Sequence, residues 1–319
     1  MKKTGKYVFH AIISFVILLG LSVALCSCSN QGGEDGDAEQ GKKKIGVSLL
    51  KENDDFYVTM KKGIVEAAEE MGYTVEVLSA DNDEQKQDKN VDTLLLKKID
   101  ALVICPVNSL GVGSIIAKAN DRGVPVFTAD IAAAKGRVVA HIASDNYQGG
   151  MVGAEEMIEH IGTSGKVAII HIPGTESVSQ RVAGFVDTAK KAGITVLEPY
   201  LNGKDDTQES ERAAQAAIMG NPDLKGIFAA NDNMAFGAES AIRASGKDIV
   251  LIGYNAEPAA VEKIKKDDIW KADVIQYPYD IGKLTVETID AYLKGELAES
   301  DETQFIPVKV GIVDVENAE

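Results

Sequence analysis

Ten short β-rich runs alternate with amphipathic helical stretches along this chain, and that alternation restricts it to an architecture of strand–helix–strand units. The runs fall into two series. Residues 45–50, 74–78, 101–105, 124–128 and 138–142 form the first, and residues 167–172, 195–200, 226–230, 249–254 and 272–275 form the second. Several are continuously apolar, as parallel strands covered on both faces must be. Between them the period changes. Phe56, Met60, Ile64, Ala67 and Met71 recur at helical spacing before Gly72, and Val112, Ile115, Ile116 and Ala119 do so before Gly123. Two series predict an α/β fold with two doubly wound parallel sheets; periodicity alone leaves a single eight-stranded barrel open.

The segment ahead of the first run is of a different kind. Lys2, Lys3 and Lys6 precede an almost wholly apolar stretch, residues 7–25, which reads as an export signal or a membrane anchor. Leu25-Cys26-Ser27-Cys28 resembles the bacterial lipobox, in which the final Cys receives a diacylglycerol thioether. Cleavage before Cys28 is therefore expected, with residues 1–27 as signal peptide and lipid on Cys28. Leu25 is too bulky beside Cys26 for Cys26 to be the acceptor. Residues 28–43, rich in Gly, Asp, Glu and Gln, cannot bury a core and read as a flexible tether. Cys105 is then the one thiol left over, so no intramolecular disulfide forms. Loss of the three lysines takes the net charge from −16 to −19, which repels phosphate backbones and argues against a nucleic-acid partner.

In open parallel sheets, ligands sit beyond the carboxyl ends of the strands. There this chain carries Asp54, Phe56 and Tyr57 after the first run, and Asp130 after the fourth. A Gly/Ser/Thr loop ending in Arg181, then Asn231, Asn255 and Gln276, follow runs of the second series. Carboxylate, guanidinium and amide groups with paired aromatics can bond hydroxyls and stack on an apolar sugar face. Singly, each residue has a plainer reading. Phe56 lies on an apolar helix stripe, Asp130 and Asn231 could cap helices, and Arg181 could be a solvated charge.

Other signals fail on inspection. Gly111-Val112-Gly113 lacks the third glycine of a dinucleotide fingerprint, since Ile116 stands there. The acidic run 81–85 begins like a calcium loop, but Lys86 replaces the turn glycine and Asp92 the bidentate Glu; it suits an acidic helix start. His141 and His171 have no ligand-spaced partners, so no metal is expected. No Gly-x-Ser-x-Gly or nucleophile–base pair supports an enzyme.

From residue 45 to 313 the chain resembles the ribose-type periplasmic binding proteins of bacterial ABC importers. The likeness extends over whole phrases: His141-Ile-Ala-Ser-Asp-Asn146, Asn231-Asp-Asn-Met-Ala-Phe-Gly237 and Gln276-Tyr-Pro278. The resemblance implies two lobes joined by three crossings, near Ser144–Asp145, Gln276–Tyr277 and Phe305–Ile306. The N-terminal lobe would then be 44–144 plus 277–305, and the C-terminal lobe 145–276 plus 306–319. Phe56 and Tyr57 match the aromatics that sandwich the sugar, Asp130 an acidic acceptor, Arg181 a donor, and Asn231 and Gln276 amides that do both. Asp54 and Cys105 stand where the family has Asn, Ile131 where it has Arg, and Asn255 where it has Asp. These departures bear on which ligand binds and predict that ribose is not the best one.

The resemblance implies a monomeric, lipid-anchored extracytoplasmic protein that needs no cofactor. It would close on a sugar or polyol and pass it to an ABC permease. A lipoprotein that signals its ligand to a chemoreceptor or histidine kinase is the alternative.

Overall fold

The computed structural model describes residues 41–266, 269–297, 300 and 302–318. The expected signal peptide, Cys28 and the tether as far as residue 40 lie outside them.

The first lobe begins with β1 (Lys44–Leu49), α1 (Asp55–Glu70), β2 (Thr74–Ser79), α2 (Glu84–Leu96), β3 (Ala101–Ile104), α3 (Gly113–Asn120), β4 (Val126–Ala129) and β5 (Ala140–Ser144). The chain then builds α4 (Asn146–Ile161), β6 (Lys166–His171), α5 (Glu176–Ala192), β7 (Thr195–Val196), β8 (Leu201–Asn202) and α6 (Thr207–Gly220). The second lobe continues through β9 (Leu224–Ala229), α7 (Asp232–Ser245), β10 (Val250–Asn255), α8 (Pro258–Ile264) and β11 (Trp270–Ile275). Helix α9 (Pro278–Leu293) and β12 (Gln304–Val308) return to the first lobe, and β13 (Gly311–Asp314) ends in the second.

Each lobe is a twisted sheet with helices on both faces. The first sheet runs β12-β5-β4-β3-β1-β2, all parallel. The second runs β13-β11-β10-β9-β6-β7, with β8 also on β6 and β13 antiparallel to β11. The barrel alternative is thereby excluded. Both orders reverse direction next to their first strand, between β1 and β3 and between β6 and β9, which opens a crevice at the strands' carboxyl ends.

Alternating faces of the first sheet explain its continuous apolar runs. Ile45, Val47 and Leu49 of β1 pack with Met60 and Ile64 of α1 and Ile281 of α9. Leu102 and Ile104 of β3 face the other way, against Leu94 of α2 and Ile116 of α3. In α1 the stripe is buried through Ala67, but Met71 is the C-cap and 37% exposed. Gly72 follows at φ +78°, the left-handed turn that a glycine adopts without strain. The acidic helix start also forms: Asp83 caps α2, accepting from Gln85 and Lys86 N–H.

Three elements depart from the sequence pattern. Of the expected strand 195–200 only 195–196 forms as β7; the chain leaves the ladder before Pro199, which has no N–H to give it, and a second short strand, β8, follows at 201–202. Strands β12 and β13 were not anticipated; β12 is an edge strand, where Pro307 is tolerated. Consequently the third crossing is not at Phe305–Ile306. Ile306, Pro307 and Val308 still pair with Ile142, Ala143 and Ser144, and the chain leaves the first sheet only at Lys309 and Val310. There the Asp145 N–H donates to the Val308 carbonyl at 2.9 Å, tying two crossings together.

Candidate functional site

Between the lobes lies a cavity of about 220 Å³. Of the ten positions singled out in the folded part of the sequence, nine line it: Asp54, Phe56, Tyr57, Asp130, Ile131, Arg181, Asn231, Asn255 and Gln276.

The first lobe supplies an aromatic corner and a carboxylate. Asp54 caps α1 by accepting the Phe56 N–H at 3.1 Å, which fixes the turn that presents the next two residues. Phe56 and Tyr57 pack edge to face with centroids 5.2 Å apart, and both are buried. The Tyr57 hydroxyl donates to Asp130 Oδ2 at 2.6 Å. Burial first, then the Asp130 charge, pushes the Tyr57 hydroxyl well above its ordinary range, so it remains a donor. Burial also raises the Asp130 carboxyl, opposed by the Tyr57 bond and the Arg181 charge. Asp130 has φ +65°, and Asn82, Asp205 and Asn255 in the same lining also have positive φ. Non-glycine residues in that region are strained, and such strain gathers at ligand sites.

The second lobe supplies donors. Arg181 lies one turn into α5, not in a solvated position: it is 5% exposed. Its Nε donates to Asn146 Oδ1 and its Nη1 to the Ala230 carbonyl, both at 2.8 Å. Helix α4 presses on α5 at this residue, since a methyl on Gly150 would overlap the Arg181 carbonyl oxygen. Asn231 does cap α7, accepting the Met234 N–H, and its amide also donates to Asp205 at 2.6 Å. Gln276 donates to Asn255 Oδ1 at 2.6 Å, while its own Oε1 is buried with no partner among the described residues. An acceptor left so in a cavity wall is a place for a ligand hydroxyl.

Cys105 is the exception. It is fully buried and absent from the lining; its N–H bonds Ser48 O and its carbonyl accepts from Gln87, which draw it into the sheet end behind the cavity. Burial pushes the thiol well above its ordinary range. The carry-over of a ligand-facing Asn to Cys105 is corrected accordingly.

The cavity also holds residues that strand ends did not flag. Lys51, 8% exposed, bridges Asp54 Oδ2 at 2.7 Å and Asp205 Oδ2 at 3.0 Å. Lys51 follows β1 directly and could have been read with that strand end. Asp205 follows β8, which the expected strand 195–200 had left out.

The geometry has known counterparts. The periplasmic binding protein domain matches residues 45–297. The ribose import binding protein of Bacillus subtilis is 35% identical over 289 residues, covering 89% of this chain and 93% of that protein. An ABC transporter solute binding protein from Agrobacterium vitis, solved with α-D-tagatopyranose, superposes with a TM-score of 0.79 at 28% identity, covering 86% of this chain and 96% of that one. Another from Bacillus halodurans, solved with myo-inositol, gives 0.77 at 26%, covering 89% and 97%. The chain belongs to the periplasmic binding protein family.

Proposed function

We propose that this protein captures one neutral polyhydroxy molecule, a monosaccharide or polyol, by closing its two lobes, and delivers it to an ABC importer. The observation that carries this reading is the placement of Asp130 and Arg181. They come from opposite lobes, are 6% and 5% exposed, and line one cavity of about 220 Å³. That volume is below the roughly 300–1,000 Å³ of sites for drug-sized ligands, which favours a single small ring. Relatives and structural neighbours that bind ribose, tagatose and inositol support the ligand class. Binding of this kind makes no covalent bond. The lipobox-like Leu25-Cys26-Ser27-Cys28 supports a chain held by lipid at the outer face of the membrane.

Ribose is not the best ligand on this reading. Ile131 contributes apolar surface, Asn255 is engaged by Gln276, and Lys51 and Asp205 add charge beyond the ribose-type pattern. Calorimetry against pentoses, hexoses and polyols tests both statements. Binding of none of them ends the proposal, and ribose binding tighter than every other sugar overturns its second part.

A further inference from the structure

A second, more open chamber of about 420 Å³ lies against the ligand cavity. Asp54, Asp55, Asp205 and Glu257 line it, with Lys51 as its cation. Lys51, Asp54, Asn82 and Asp205 belong to both spaces, so they stand between them. Lys51 is the centre of that wall. Its ammonium reaches Asp54 in its own lobe at 2.7 Å and Asp205 in the other at 3.0 Å. Among ion pairs and side-chain hydrogen bonds between described residues, Lys51–Asp205 is the one that joins the two lobes away from the crossing itself, where the Asn146 amide donates to the Ser144 carbonyl at 3.0 Å.

Both carboxylates are held independently of Lys51. Asp54 is fixed as the cap of α1, and Asp205 Oδ1 accepts from Asn231 at 2.6 Å and Asn233 at 3.1 Å. Burial works against the Lys51 ammonium, but the charges of Asp205 and Asp54 outweigh it, so it remains protonated. We propose that Lys51 is a specificity-determining residue that walls the ligand cavity off from the acidic chamber and limits the ligand to a single ring or polyol. A glycoside or disaccharide would need its second unit in the outer chamber and would have to part Lys51 from two carboxylates. This rests on the sugar-binding reading above.

The test compares the full chain with Lys51→Ser, and with Lys51→Ser/Asp205→Ser, which relieves the repulsion left between Asp54 and Asp205. Calorimetry uses the best-binding monosaccharide and disaccharides that contain it. The wild-type protein should prefer the free sugar by about a hundredfold or more, and both variants should narrow that to about tenfold or less. Equal wild-type affinity for a disaccharide, or an unchanged ratio in both variants, overturns the proposal. A second measurement needs no sugar. A cysteine placed at Ile131, inside the cavity, should react faster with a bulky maleimide once Lys51 is Ser, read against the same chain with Ile131 intact. If no sugar binds the wild-type protein, the sugar-binding reading has failed, and the labelling rate still decides: no acceleration means that Lys51 is not a wall.

Discussion

The Arg181 guanidinium lies over the ring of Tyr254, 3.9 Å from its centroid, and the two are buried together behind the cleft. Its bonds to Asn146 and Ala230 use Nε and Nη1, so the stack and the two bonds fix the plane of the guanidinium. Stacking of this kind also holds burial and charge together: burial pushes the Tyr254 hydroxyl up to about 12 despite the Arg181 charge beside it.

Arg181→Ala should weaken binding of the identified sugar by about 2–5 kcal/mol. Arg181→Lys should not restore it, because an ammonium can neither stack as a plane nor bond Asn146 and Ala230 while still facing the ligand. Arg181→Ala leaves Asn146 Oδ1 and the Ala230 carbonyl wanting a donor, at about 1–3 kcal/mol of stability. Calorimetry and urea denaturation separate the two effects. Near-normal affinity in Arg181→Ala would remove Arg181 from the site.

Tyr57→Phe isolates the other side of the cleft. The Tyr57 hydroxyl is a hydrogen bond that favours the charged Asp130, so its loss raises the Asp130 carboxyl further. An ionised Asp130 is the better acceptor for ligand hydroxyls, and affinity should therefore decline on the acid side of its titration. In Tyr57→Phe that decline should begin at higher pH than in the wild-type protein, with about tenfold weaker binding at neutral pH. Dissociation constants measured across the acid range check it; superimposable profiles would refute it.

The sequence made the architecture readable because parallel strands buried on both faces stay apolar and their helices keep one stripe. Residues such as Val47, Ile104 and Ile170 sit where the pattern put strands. Strands β12 and β13 escaped because they lie at sheet edges and are only partly buried, and β12 carries Pro307, so neither shows a continuous apolar run. At the site, residues at or just after the ends of mostly buried strands were legible: Asp130, Asn231, Asn255 and Gln276 all line the cavity. Cys105 was misjudged because a residue at a strand end can point into the sheet's own packing as well as the crevice. Asp205 was missed because a two-residue strand has no period to read.

Export makes a prediction at the other end of the chain. Leu25-Cys26-Ser27-Cys28 resembles a lipobox with Cys28 as the acceptor. Cys28→Ala should abolish lipid attachment and signal cleavage, whereas Cys26→Ala should leave both intact. Mass spectrometry of the membrane fraction reads the result directly. Lipid on Cys26 would contradict it.

A buried carboxyl pair behind the site gives stability a pH dependence of definite sign. Asp232 and Asp273 are both fully buried, and Asp232 Oδ2 accepts the Glu257 N–H at 2.7 Å. Burial first raises both carboxyls, Asp232 to about 7, and the Asp232 charge lifts Asp273 higher still. The folded chain thus keeps a proton that the unfolded chain releases at ordinary carboxylate pH. This contribution is complete below the unfolded value of 3.8 and is lost progressively as pH rises toward and through the folded values. An amide at Asp273 can donate to Asp232 without holding a titrating proton. Asp273→Asn should therefore be more stable than the wild-type protein at pH about 8, by roughly 2 kcal/mol, with the advantage shrinking toward pH about 5. Urea denaturation at the two pH values measures the difference. Parallel stabilities for the two proteins would mean that the pair does not share a proton in the folded state.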